Sequence, residues 1–200
     1  MTTYEIVAQF IGVVAMLFNI FSYQQKSSKG VIVMQLFGGA LFAVNFFMLG
    51  AVVGGLLNVI AVFRAIVYSN KEKFRAKSKV WIYLFVSLYV LSYILTFTLF
   101  GTPFTLKNAI LELLPVIAMI ATTLGFYVNN AAFIRKMGLI CCPGWLIYNI
   151  FNLAVGAIIC EAVSICSVII GIIRLDIKKA RRRVVLLTTA HPTNCSTGRY

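Results

Sequence analysis

The sequence predicts an all-α integral membrane protein of seven transmembrane helices, on three observations. Of 200 residues, 61% are hydrophobic and 12% charged, where a soluble domain carries about 25% charge. The mean hydropathy is +0.95, and the apolar residues fall into seven stretches, each close to the roughly 20 residues that cross a bilayer core. Lys and Arg gather in alternate gaps between these stretches, as the positive-inside rule requires of a multi-pass protein.

The first span, Ile6 to Tyr23, has no Lys or Arg before it. A signal peptide begins with a positive region, so this helix is expected to be retained. Lys26 and Lys29 separate it from the second span, Val31 to Leu49, and a minimal turn at Gly50 leads into the third, Ala51 to Ser69. Arg64 lies about a turn and a half from the end of that third span, where a long side chain is expected to snorkel to the interface. Five basic residues from Lys71 to Lys79 precede the fourth span, Val80 to Phe100, which has no Asn, Gln or charge between its ends. The fifth, Ala109 to Val128, carries Glu112, expected to pair with Lys107 at the interface, and Pro115, which kinks or starts the helix. Arg135 and Lys136 form the next basic loop, followed by the sixth span, Met137 to Gly156, and the seventh, Ile158 to Leu175.

The loops on one side and the basic start of the tail then hold fourteen Lys and Arg residues, against Lys107 alone in the loops of the other side, which puts the N-terminus outside and the C-terminus in the cytoplasm. Residues 1–176 form the membrane domain, and residues 177–200 form a basic, Thr-rich cytoplasmic tail with no apolar period and an expectation of disorder. His191, the only histidine, falls in this tail, as does Arg181-Arg182-Arg183, a topology anchor or a contact for anionic lipid. The net charge of +13 is therefore read as topology. A nucleic-acid partner is not expected, because the chain leaves no folded basic surface outside the membrane. The five cysteines show no metal-ligand or redox spacing and read as small residues filling helix contacts. No metal and no cofactor is expected.

The first and last three spans align at a constant offset that sets Tyr23 on Tyr127 and Asn45-x-Phe47-x-Leu49 on Asn149-x-Phe151-x-Leu153. Identity between them is near chance, so the shared layout carries the repeat: span, basic loop, span, minimal turn, span. Three is odd, so a linking helix is needed to make the copies parallel. The expected plan is 3+1+3, with repeat one at 6–70, the linker helix at 80–100 and repeat two at 109–175. Such repeats hold transporter sites at their interface near the midplane.

Amides inside the spans must find partners in protein or water. Asn19, Asn45, Asn58, Asn149 and Asn152 meet this condition as interhelical bonds or as ligand groups. Asn45 and Asn149, at equal depth in the two copies, are expected to face each other across a pseudo-twofold axis. Trp145, Tyr148, Asn149 and Asn152 follow i, i+3, i+4, i+7 spacing and so share one helix face. Glu161 is an acid inside an apolar span, costing about 2.5 to 3.5 kcal/mol on insertion scales, and is the proton-coupling candidate. The substrate-binding set expected from sequence is Asn45, Asn58, Trp145, Tyr148, Asn149, Asn152 and Glu161. No phosphate loop, metalloprotease motif or nucleophile elbow is present, so neither an enzyme nor an ATP-driven pump is expected.

The second half carries Glu112-Leu113-Leu114-Pro115-Val116-Ile117, Cys141-Cys142 shortly before Trp145, Tyr148-Asn149, Glu161 and Ile172-Ile173-Arg174. With Asn45, Leu49-Gly50 and Leu57-Asn58 in the first half, these residues resemble the YgjV family of bacterial inner membrane proteins over roughly residues 5–176. The resemblance implies a multi-pass protein of the bacterial plasma membrane. A more distant likeness to PQ-loop and SWEET-type transporters implies the 3+1+3 plan with an outside N-terminus. Tyr23-Gln24-Gln25-Lys26-Ser27-Ser28-Lys29-Gly30 keeps that pattern's Lys-Ser and Gly but lacks its proline, and Tyr127-Val128-Asn129-Asn130 has neither Pro nor Gln. The third-helix Asn associated with SWEET-type sugar sites has a counterpart in Asn58, while the second copy offers Glu161.

The expected function is a carrier or exchanger-like protein for a small polar solute, sited at the midplane between the repeats. The alternative is a non-transporting membrane protein that binds a partner or assists assembly. The expected partners are the lipid bilayer, the solute and, through small-residue runs such as Gly38-Gly39-Ala40, a second copy of the chain.

Overall fold

The computed structural model describes residues 3–49, 52–99, 101–151 and 155–178. Seven α-helices run through them: α1 Thr3–Ser22, α2 Ser28–Met48, α3 Val52–Ser69, α4 Val80–Thr98, α5 Leu106–Val128, α6 Ala131–Phe151 and α7 Val155–Gly171. A π-helical stretch, Ile172–Ile177, continues α7. No strand occurs among the described residues. Four segments, Ser28–Met48, Val80–Thr98, Leu106–Val128 and Ala157–Ile177, are long and apolar enough to cross a membrane, and Ile6–Ser22 and Gly54–Ser69 are apolar but shorter. Ile177 and Lys178, expected to begin the tail, are helical, and the rest of the expected tail, with His191 and Arg181 to Arg183, lies outside the described residues, as does Asn152.

Local chemistry sets the helix ends. Ser27 caps α2 by accepting from the Gly30 amide at 3.0 Å, and Thr105 caps α5 by accepting from Asn108 at 3.2 Å. Asn129 closes α5 in the left-handed conformation, φ 58°, which asparagine tolerates. The next residue, Asn130, uses its side-chain oxygen to accept from the Ala132 and Phe133 amides at 2.9 and 3.3 Å. That cap starts α6 at Ala131, six residues before the sequence-expected start at Met137. Arg135 and Lys136 therefore belong to a helix and not to a loop.

Packing proceeds between sequence neighbours: α1 on α2, α2 on α3, α5 on α6 and α6 on α7. Helix α4 leans on α5 and, less, on α3, and only 17% of its span is buried against 50% for α5. The apolar side chains it turns outward, Tyr83, Val90 and Ile94 among them, suit lipid. The main core gathers Tyr68, Phe85, Tyr89 and Phe126 between α3, α4 and α5, with Trp81 stacked on Phe85 at 5.7 to 6.1 Å ring spacings through Phe63. Residues 70–79 fold back onto this core. Ala76 is buried, the Trp81 indole donates to the Phe74 carbonyl at 2.9 Å, and Lys71 Nζ donates to the Phe126 carbonyl at 2.7 Å.

Three sequence expectations change. Arg64 does not snorkel: it is 4% exposed and points into the bundle. Lys107 does not pair with Glu112; its ammonium sits 5.5 Å from the Phe151 ring centroid, while Glu112 bonds the Tyr148 hydroxyl. Pro115 lies inside α5 and does not start it, because Thr105 has already capped the helix ten residues earlier.

Candidate functional site

Between the set α1, α2, α3 and the set α5, α6, α7 lies a cavity of about 160 Å³. Asn19 and Tyr23 reach it from α1, and Gln35, Phe42 and Phe46 from α2. Helix α3 contributes Asn58 and Arg64, α5 contributes Met119, Thr122 and Phe126, and α6 contributes Cys141, Cys142, Trp145 and Asn149. Cys160, Glu161 and Ser164 complete it from α7. Asn58 and Arg64 are six residues apart, about 9 Å along α3 at 1.5 Å per residue, so the polar groups are spread along the cavity axis.

Arg64 is held by neutral groups alone. Its Nη1 donates to Tyr89 Oη at 2.9 Å, to the Met119 carbonyl at 3.2 Å and to Thr123 Oγ1 at 3.4 Å. Its guanidinium lies 5.1 Å from the Phe126 ring centroid, a cation–π distance. Nε is buried and bonds nothing among the described residues. An arginine is always charged, so this is a fixed positive charge in low dielectric with an unused donor and no acid among its described partners.

Glu161, on the opposite set, bonds the Cys142 thiol. No cation lies within ion-pair distance of it among the described residues, where the only salt bridge is Arg135–Asp176. Asn149 and Trp145 line the same wall. Asn58 donates to the Gly54 carbonyl at 2.9 Å, leaving its side-chain oxygen free to accept.

Of the sequence-expected residues, Asn58, Trp145, Asn149 and Glu161 come together at the cavity. Asn45 does not line it: its amide donates to the Ala8 carbonyl at 2.7 Å and packs on Gly12, tying α2 to α1. Tyr148 turns away from the cavity toward Glu112, its ring edge-on to Trp145 at 5.9 Å. Asn45 and Asn149 thus have different surroundings. Sequence reading missed Arg64, Gln35, Tyr23 and the Cys141-Cys142 pair. Arg64 carried a usable signal, being the one cation placed more than a turn inside a predicted span, but its distance from the span end fits snorkelling equally well. Three thiols and a carboxylate reach the cavity, yet among the described residues no three His, Cys, Asp or Glu side chains converge to hold a metal.

A seam closes the cavity where the basic loops lie. Gln24 Nε2 donates to the Ser167 carbonyl at 2.7 Å and to its hydroxyl at 3.0 Å, and Ser167 Oγ donates to the Ile20 carbonyl at 2.6 Å. Tyr23 Oη meets Cys142 Sγ at 3.7 Å. Arg135 on α6 donates to the Gln25 carbonyl at 2.9 Å and to both Asp176 oxygens, at 2.9 and 2.5 Å. Glycine is required where this seam is tightest, since a Cβ on Gly171 would stand 2.6 Å from the Tyr23 carbonyl oxygen. Outside the membrane, partial burial and then the nearby Lys77 charge pull the Lys71 ammonium down to about 8. Among the described residues, every hydrogen bond joining α1, α2 and α3 to α5, α6 and α7 lies from the middle of the bundle to this end.

No curated protein and no solved structure matches the chain. A family described as Imp-YgjV, bacterial inner membrane protein, matches residues 6–179, nearly all of the described structure. With its apolar helices and lipid-suited surface, the chain belongs to the Imp-YgjV family of bacterial inner membrane proteins.

Proposed function

We propose that this protein is a carrier or exchanger-like protein for a small polar solute, with its site in the cavity between two parallel three-helix repeats and α4 as the linker between them. The N-terminus is outside and the C-terminus cytoplasmic, on the strength of the one-sided basic residues. The observation that carries the reading is the one-ended fastening: among the described residues, polar ties between the two sets stop at mid-depth, while the lining continues past them to Gly54 and Ala157, near the starts of α3 and α7. A site open toward one side and sealed toward the other is one of the two states that alternating access needs. The seam is built from hydrogen bonds and one ion pair, which are broken and remade more readily than an apolar core.

A second reading, a membrane protein that binds a partner without transport, is favoured by Asn45, whose amide serves helix packing alone. Proteoliposome uptake of sugars, amino acids and organic ions decides between them. The double variant Gln24→Cys, Ser167→Cys places thiols across the seam. Uptake of at least one solute is expected, blocked on oxidation of the double variant and restored by a reductant, with each single variant insensitive. Absence of uptake across the panel supports the partner-binding reading.

A further inference from the structure

We propose that the cavity recognises a small zwitterion of the amino-acid class, its carboxylate toward Arg64 and its ammonium toward Glu161. This deepens the carrier reading and rests on it for its purpose, although binding alone does not require transport.

The charged groups on the cavity wall set the class of solute. Arg64 and Glu161 line one cavity from opposite helix sets, and no ion pair joins them. Arg64 has spent Nη1 on neutral acceptors and, among the described residues, leaves Nε without a partner although the residue is almost wholly buried. A planar guanidinium with unused N–H groups is the geometry that takes a carboxylate. Among the described residues the Cys142 thiol is the bonded neighbour of Glu161, and an ammonium alongside it would hold it as a carboxylate.

Other solutes leave these charges unbalanced. A neutral polyol compensates neither group, and a simple carboxylate compensates Arg64 while leaving the Glu161 carboxyl without a charged partner. An amine does the reverse. A zwitterion compensates both and brings no net charge into a low-dielectric site, where an uncompensated charge is costly. The amides of Asn58 and Asn149, on the same lining, can bond either end of it.

Size and wall chemistry narrow the class. The cavity of about 160 Å³ suits a compact solute of amino-acid size. Phe42, Phe46, Leu57 and Trp145 form apolar walls, so the side chain that fits is short and apolar.

The test is saturable binding of radiolabelled L-valine to the full-length protein in lipid nanodiscs. Unlabelled N-acetyl-L-valine, which keeps only the carboxylate, L-valinamide, which keeps only the ammonium, and D-glucose serve as competitors. Valine is expected to bind, both half-charged analogues to compete at least tenfold more weakly, and glucose not to compete. Glu161→Gln is expected to weaken valine at least tenfold without weakening N-acetylvaline. Arg64→Lys keeps the charge but loses the fork, and is expected to weaken both. Should Arg64→Lys fail to fold, Glu161→Gln decides alone. Absence of saturable valine binding, or valine affinity unchanged in Glu161→Gln, overturns the proposal. Glucose transport without valine binding overturns it while leaving the carrier reading intact; valine binding without uptake of any solute keeps it and removes the carrier reading.

Discussion

Arg135 and Asp176 form a two-pronged ion pair across 41 residues of chain, Nε to Oδ2 at 2.9 Å and Nη2 to Oδ1 at 2.5 Å, with the guanidinium 2% exposed. Removing one partner of a buried pair leaves the other charge without compensation, at a cost of about 3 kcal/mol or more. Asp176→Asn is therefore expected to lower the thermal midpoint of the purified protein by roughly 6 to 12 °C, at about 2 to 4 °C per kcal/mol for a chain of this length. A fall of less than about 2 °C would show that the backbone carbonyls of Tyr23 and Gln25 hold Arg135 unaided.

Asn45 and Asn149, which the sequence pattern aligns, are expected to separate by phenotype. Asn45→Ala loses the bond to Ala8 and should cost about 0.6 to 1.7 kcal/mol, the range for interhelical bonds in membranes, with solute uptake per folded molecule unchanged. Asn149→Ala, on the cavity wall, should leave the melting temperature nearly unchanged and reduce uptake several-fold. Equal behaviour in both assays would contradict the distinction.

Glycine substitutions test the packing at the seam. Gly171→Ala sets a Cβ 2.6 Å from the Tyr23 carbonyl and 2.9 Å from Arg135 Cδ, and overpacking of this kind costs about 1 to 3 kcal/mol. At Gly144 the nearest atom to an added Cβ is 3.4 Å away, so Gly144→Ala gains up to about 1 kcal/mol of helix propensity with no clash. Thermal melts of the two variants should move in opposite directions.

Lys71 provides a pH signature. Its folded value of about 8 lies below the ordinary 10.5, so the folded protein releases this proton before the unfolded chain does. Between those values the unfolded state binds more protons and stability rises with pH. The stability of the parent relative to Lys71→Met should be flat below pH 8, climb from there to about 10.5 and then level off. A flat or falling difference across that window would mean that the Phe126 carbonyl, which favours the charged ammonium, outweighs burial.

Helix number and order were legible because a lipid-facing helix must be apolar along its whole length, as Val80 to Phe100 is. The start of α6 was not, since Arg135 beside Lys136 looks like a loop until Asp176 is known to lie opposite. That acid did carry a signal: it stands alone at the head of a basic run. Glu161, Trp145, Asn58 and Asn149 were readable as polar groups in apolar surroundings. What composition could not tell was direction. Asn45 and Asn149 are the same residue type in the same Asn-x-Phe-x-Leu pattern, and only the close approach of α1 at Gly12 decides that one is consumed by packing. Arg64 was misplaced for a related reason, because its partners Tyr89, Met119 and Thr123 sit 25 to 59 residues away.

The π-helical stretch Ile172–Ile177 has a consequence for how the bundle tolerates change in chain length. Such a stretch is an α-helix carrying one residue too many in a turn, and here the Lys178 amide reaches back five residues to Ile173. The surplus sets the angle at which Asp176 leaves the helix. Deleting one residue between Gly171 and Asp176 would relax the turn to ordinary α-helix and swing the carboxylate by about 100°. Such a deletion is expected to reproduce the Asp176→Asn melting defect with every charge still in the chain. At this corner of the protein, whether two elements meet is decided by counting residues as much as by their chemistry.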